Sequence, residues 1–353
     1  MRPAALLARM PQEEYEPWLR RVMRHKMLPW LCRELPEAIP EQFLNTVHAL
    51  CQTNARRNLA LTRELLALMA LLDRAGLPAL AYKGPVLAQR LYGELGMRQF
   101  SDLDLLLPPD SIPEVRRVLT AAGYRRVQPH SALSERQEKA FLKDEWEYHF
   151  VSPHSVFIEI HWRLLPPEMG ASALFETVWG DTQAIDLLGT RVQTLGQEDM
   201  LLFLCLHGAQ HRWAQLELAL NIDQLIRGSH LWYWERIRER AQAAGVARLV
   251  RLALCLAQCL FETPLPSQVE QEIKSDRTLP RLVVEAMGRL TASAPKNVWA
   301  NARFDLRGRE RWQDRLHYGA SILTAPRAVD WDCQGRTSRP LRLLRKHLTR
   351  QKQ

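Results

Sequence analysis

The sequence predicts an α+β protein, with a compact unit of short strands and helices set between two helical stretches. Three observations predict it. Up to about Gly76 apolar residues recur at helical spacing, from Leu77 to about Leu195 short β-like runs alternate with turn residues and two helical segments, and from Gly196 the helical spacing returns. The expected units are therefore a helical segment over 1–76, a core over 77–195, a helical domain over 196–330 and a basic tail over 331–353. A chain of 353 residues, 46% of them hydrophobic, can bury more than one core, since domains usually take ~100–200 residues.

In the first segment Leu59, Leu61, Leu65, Leu66, Leu68, Met69 and Leu72 share a broad helical face, and Gly76 supplies a stop. Strands are expected at 80–82, 102–107, 124–127, 148–151 and 156–162. Pro85 suits the first turn of a helix, where an amide has no intrahelical partner, so Lys83 and Gly84 sit at a strand-to-helix turn. A second helix is expected from Ser111, with Glu114 at capping-box spacing, to Gly123. Further on, Glu198 and Asp199 suit a first turn, before an apolar run over 200–206.

Composition narrows the setting. The apolar stretches 59–72 and 249–261 are broken by Arg63, Glu64 and Arg251 and fall short of a bilayer span, and the N-terminal apolar run is too short for a signal core. No membrane partner is expected. Six cysteines without a CxxC pair suggest a reducing cytoplasm, with Cys255 and Cys259 read as packing residues. The formal charge of +9 is concentrated in a tail with seven basic and no acidic residues after Gly335. A solvated helix end explains that tail at least as well as phosphate contact, which leaves nucleic acid a lesser partner. Tryptophans outside the α/β unit read mostly as helix packing.

In Ser101-Asp102-Leu103-Asp104-Leu105 the period of two points both carboxylates one way and both leucines the other. Like charges held so close need water or a cation, and magnesium suits hard oxygen ligands. Glu159, within an apolar strand, fits either a solvated sheet face or a third place in the same metal site. His161 reads as a satisfied core histidine, and Asp223 as either a cation's partner or a surface acid. His207 and His211 share a helix face, yet Gly208 stands where a zinc protease would carry glutamate, so they are expected to pack on the core or border a nucleotide or acceptor pocket.

The series Tyr82-Lys83-Gly84-Pro85, Leu91-Tyr92-Gly93, Arg98, Ser101-Asp102-Leu103-Asp104 and Glu159-Ile160-His161-Trp162 resembles the bacterial nucleotidyltransferase-like family of the polymerase-β-type superfamily. The resemblance continues through His207-Gly208, His211, Trp213 and Asp223, and so covers most of the chain after about Asn54. It implies a polymerase-β-type core with a mixed sheet between helical flanks. It also implies Asp102, Asp104 and Glu159 as catalytic residues and ligands of two Mg2+ ions. Lys83, Gly84, Arg98, Ser101, His207 and His211 would contact the nucleotide, an NTP and most simply ATP. One departure is the Lys83-Gly84 pair, where many members carry Gly-Gly or Gly-Ser. The acceptor stays open between a small molecule and a protein or RNA, and a catalytically silent nucleotide-binding protein is the rival reading.

Overall fold

A computed structural model describes residues 10–34, 40–130, 133–229, 231–291 and 298–324; the basic tail lies outside the described residues. The N-terminal segment forms α1 (Tyr15–Arg24), α2 (Leu28–Arg33) and a 34-residue helix α3 (Glu41–Arg74). Along α3 the expected stripe is buried at Leu61, Leu65, Leu68 and Leu72, whereas Leu59 faces solvent. The helix stops where Gly76 takes a left-handed φ of 67° that a side chain would disfavour.

The α/β unit runs β1 (Leu80–Ala81), α4 (Gly84–Tyr92), β2 (Asp102–Leu106), α5 (Ile112–Ala121), β3 (Arg125–Gln128), α6 (Glu135–Asp144), β4 (Glu147–Val151) and β5 (Phe157–His161). Its five strands form one mixed sheet in the order β1-β2-β5-β4-β3. Only β2 and β5 pair in parallel; the other neighbours are antiparallel. One face of the sheet, with Leu103, Leu105, Tyr148, Phe150, Ile158 and Ile160, packs against α3 and α5 in a continuous core.

The other face meets the C-terminal helices. Leu80, Tyr82 and Leu106 join the core of α7 (Gln197–Gln210), α8 (Leu216–Arg227), α9 (Trp234–Ala243) and α10 (Ala247–Phe261). Helices Ser267–Ser275, Leu279–Thr291, Val298–Gly308 and Trp312–Thr324 follow. No helix among the described residues is long and apolar enough to cross a membrane.

Several local expectations are corrected. The α/β unit holds a third helix, α6, and it is α6 that carries a capping box, between Ser134 and Gln137. At Ser111 a preceding 3-10 turn draws the hydroxyl onto Pro108 O at 2.7 Å, and Glu114 pairs with Arg117 instead. Strands β6 (Thr182–Leu187) and β7 (Thr190–Leu195) form a hairpin the sequence reading did not separate; Leu188 and Gly189 both take positive φ, as a tight primed turn requires. Cys32 on α2 and Cys51 on α3 are brought side by side, with Cα atoms 6.7 Å apart. Cys259 is exposed on α10, whereas the half-buried Cys255 packs against the core as expected. Trp299 and Trp312 are also exposed.

Two buried asparagines on α3 hold the loop that leads into β2. Asn54 Nδ2 donates to the carbonyls of Gly96 and Arg98 at 3.1 and 3.0 Å, and Asn58 Nδ2 to those of Leu95 and Arg98 at 2.7 and 2.8 Å. An Asn58→Ala substitution leaves the Leu95 carbonyl without its donor and Arg98 O with Asn54 alone, and is expected to cost about 1–3 kcal/mol, measured as a lower denaturation midpoint at constant slope.

Candidate active site

Three adjacent strands share one design, in which apolar residues alternate with ionisable ones: Leu103 and Leu105 with Asp102 and Asp104, Ile158 and Ile160 with Glu159 and His161, Tyr148 and Phe150 with Glu147 and His149. The apolar set faces α3 and α5, so the ionisable set faces the cleft under α7. Register then decides the neighbours. Asp104 stands opposite Glu159, and Glu159 opposite His149; on the next row His161 stands opposite Glu147. Asp102, Asp104 and Glu159 therefore occupy the same side of the sheet.

Asp104, only 4% exposed, is the hub. Lys83 Nζ donates to its Oδ1 at 2.6 Å, and His161 Nε2 lies 3.2 Å from the same oxygen. His161 Nε2 is also 3.3 Å from Glu159 Oε2, while its Nδ1 is 3.3 Å from Glu147 Oε2. His149 Nε2 meets Glu147 Oε1 at 2.9 Å. The Tyr82 and Phe203 rings, edge to face with centroids 5.0 Å apart, close the floor beneath Lys83.

The shared charge splits the carboxylates into two kinds. Burial opposes ionisation of Asp104, but the Lys83 ammonium and the His161 hydrogen bond outweigh it and hold this carboxyl well below the usual range. In Glu159 burial, helped by Asp104 and Glu147, wins over the His161 hydrogen bond and raises the pKa; in Asp102 burial and then Asp104 do the same. Burial disfavours charge on His161, yet its bonds to Asp104 and Glu159 bring its pKa up to about 9. Lys83 is likewise raised, against burial, by Asp104 and Glu159.

Among the described residues two groups of side chains can hold a divalent ion: Asp104 with Glu159 and His161, and Glu147 with His149 and Glu159, each with donor atoms within 4.8 Å of one another. The residues fit a cation, since carboxylate and imidazole donors are usual ligands of divalent ions and Asp104 is held ionised.

Beside Asp104 the chain turns from β1 into α4. Lys83 is extended at the N-cap, Gly84 takes a φ of 51°, and a Cβ on Gly84 would stand 3.4 Å from Asp102 O. The glycine thus lets the first amides of α4, which lack intrahelical partners, lie against the start of β2.

The remaining expected site residues are placed as follows. Ser101 is exposed just before β2. Arg98 departs from the expected phosphate contact: it is 8% exposed, its Nε and Nη2 lie 3.0 and 2.7 Å from Glu217 Oε1, and Nη1 donates to Gly84 O at 3.4 Å. It braces the turn from behind. His207 and His211 lie at the end of α7 with ring centroids 4.5 Å apart, and His207 stacks on Phe203 at 5.4 Å. Burial first, then Lys83, holds the His207 imidazole well below its ordinary pKa and lowers that of His211 to about 4, so both are neutral near pH 7.

His161 is buried, as a core histidine would be, but its partners are the acids of the cleft. Asp223 is a structural acid, bound by Arg227 and by Thr263 Oγ1, each at 2.7 Å. Sequence reasoning missed Glu147 and His149, although the alternation Glu147-Tyr148-His149-Phe150 repeats the pattern that marked Asp102 and Asp104.

Gly208 is explained by packing. A Cβ there would lie 2.3 Å from the buried Trp213 ring. Gly208→Ala is therefore expected to destabilise by about 1–3 kcal/mol through overpacking, seen as a lower Tm with the loss relieved by Trp213→Leu.

No curated protein matches the chain. Among solved structures it is similar to the antibiotic-resistance factor ANT(2'')-Ia, at 14% identity and a TM-score of 0.37, over 53% of this chain and 91% of that one. It is also similar to an antigenic nucleotidyltransferase-like protein from Paracoccidioides brasiliensis, at 16% identity and a TM-score of 0.34, over 63% and 96% of the two chains. The model of the uncharacterised nucleotidyltransferase family matches residues 11–262, from the helical preface through α10 and so across every strand of the sheet, and the chain belongs to that family.

Proposed function

We propose that the chain transfers a nucleoside monophosphate from an NTP, ATP in the simplest case, to a small-molecule acceptor, with Asp102, Asp104 and Glu159 as the catalytic carboxylates. The observation that supports this most is the parallel register of β2 and β5, which sets Asp104 beside Glu159 within reach of the Lys83-Gly84 turn. Divalent cations, Mg2+ by the hardness of the carboxylate donors and two in number in the full reading, would neutralise the triphosphate and acidify the acceptor hydroxyl.

The chain's own groups do the rest. The free amides at the start of α4, with Lys83 beside them, bind phosphate oxygens, and Asp104 and Glu159 would hold the cations. Glu159, paired across the strands with Asp104, accepts the acceptor hydroxyl's proton. The freed oxygen bonds to the α-phosphorus, the α–β phosphoanhydride bond breaks, and pyrophosphate departs with the displaced electron pair.

The test is incubation with each labelled NTP, Mg2+ and cell extract, with small molecules separated from macromolecules. Label on a small molecule supports the reading, and label on protein or RNA moves the acceptor to that class. A Mg2+-dependent rise in Tm with nucleotide, but no pyrophosphate release with any acceptor, would make the chain a binding protein instead.

A further inference from the structure

The turn between α1 and α2 reaches the cleft from the N-terminal segment, and nothing in the mechanism above uses it. Lys26, at its apex, has a φ of 56°. A non-glycine residue is disfavoured in the left-handed region and is kept there only where its surroundings enforce it.

Here the surroundings come from both other parts of the protein. The amide of Glu217, on α8, donates to His25 O at 3.3 Å. Gln99, buried in the loop before β2, accepts from the Leu28 amide at 3.2 Å and donates to Met23 Sδ at 3.8 Å. The turn is thus clamped from both sides, with the Lys26 side chain 39% exposed and its Nζ 3.7 Å from Glu217 Oε2.

The charge arrangement is unequal. Glu217 carries one negative charge; Arg98 takes its Oε1 and Lys26 approaches its Oε2. Two cations share one carboxylate, and Arg98, being buried, spends its donors on Glu217 and on Gly84 O. The surplus positive charge is therefore carried by Lys26, whose pairing is loose and whose end is open to solvent. Through Glu217 and Arg98 it is linked to Gly84 O at the start of α4, and its charge acts on Asp102, His207 and His211.

We infer that Lys26 binds the polyphosphate of the substrate, so that the N-terminal helical segment completes the nucleotide site rather than merely covering the sheet. This rests on the nucleotide reading above. A lysine on a flexible stem, acting as a point charge, suits phosphate oxygens whose position shifts between the bound triphosphate and departing pyrophosphate.

The full chain and its Lys26→Met, Lys26→Gly and Lys26→Arg variants would be titrated calorimetrically with Mg2+-ATP, Mg2+-tripolyphosphate and adenosine. Loss of one charge-assisted contact predicts about 10–100-fold weaker binding of ATP and tripolyphosphate to the Met and Gly variants, a shallower salt dependence, unchanged adenosine binding and near-native affinity for Lys26→Arg. Lys26→Gly also removes the left-handed strain, so its Tm should hold or rise while its affinity falls, which a purely structural role would not produce. Native ATP affinity in Lys26→Met overturns the inference while leaving the nucleotide reading intact. Failure of the wild-type chain to bind either phosphate probe overturns both.

Discussion

Asp104→Asn is expected to lower nucleotidyl transfer by roughly 10³-fold or more, equivalent to ~4 kcal/mol of transition-state stabilisation. The substitution keeps the shape of the side chain and removes the one carboxylate that touches both Lys83 and His161. Two consequences separate loss of chemistry from loss of fold. First, the β2–β5 pairing is a backbone feature and should survive, so the circular dichroism spectrum should match the wild type.

Second, the pH dependence of stability should change in a defined direction. The folded-state pKa of Asp104 lies below its unfolded value near ~3.9, so its contribution to stability is complete above that value and is lost as pH falls toward the folded pKa. Asp104→Asn should therefore flatten the acid side of the stability curve. Equal labelling of acceptors by wild type and Asp104→Asn would remove this carboxylate from the chemistry.

The second large effect is on stability. Arg98 and Glu217 form a buried pair that ties the loop before β2 to the first turn of α8. Removing Arg98 leaves the buried Glu217 carboxylate only its loose contact with Lys26, so Arg98→Met is expected to cost up to about 3–5 kcal/mol. The same argument says that the double variant Arg98→Met/Glu217→Leu recovers most of the loss, because it buries no lone charge. Urea denaturation of the two single variants and the double variant measures the coupling directly. Additive losses would show that the pair does not act as a unit. The double variant, although folded, should still bind nucleotide poorly, since Arg98 no longer holds the carbonyl of Gly84 and Lys26 has lost its neighbour.

Much of this site could be read one strand at a time. That Asp102 and Asp104 point together, away from Leu103 and Leu105, follows from the two-residue period of an extended chain, and the start of α4 at the Lys83-Gly84-Pro85 turn follows from proline and glycine stereochemistry. Where two local signals competed, as at Ser111, the reading failed because a preceding 3-10 turn claimed the hydroxyl. Glu147 and His149 were legible as an alternating strand, but nothing local marked that strand as the neighbour of β5.

The sequence by itself determined which side chains share a strand face, where the chain turns, and that acids of the metal-binding type lie in an α/β unit between helices. Only the tertiary structure decided the company those residues keep: Glu159 beside Asp104, His161 among acids rather than in an apolar core, Arg98 committed to Glu217, and Lys26 delivered from the N-terminal segment. The reason is that side-chain direction is a property of each residue's own backbone. Strand order and register, in contrast, are selected by burying whole faces against helices far away in sequence.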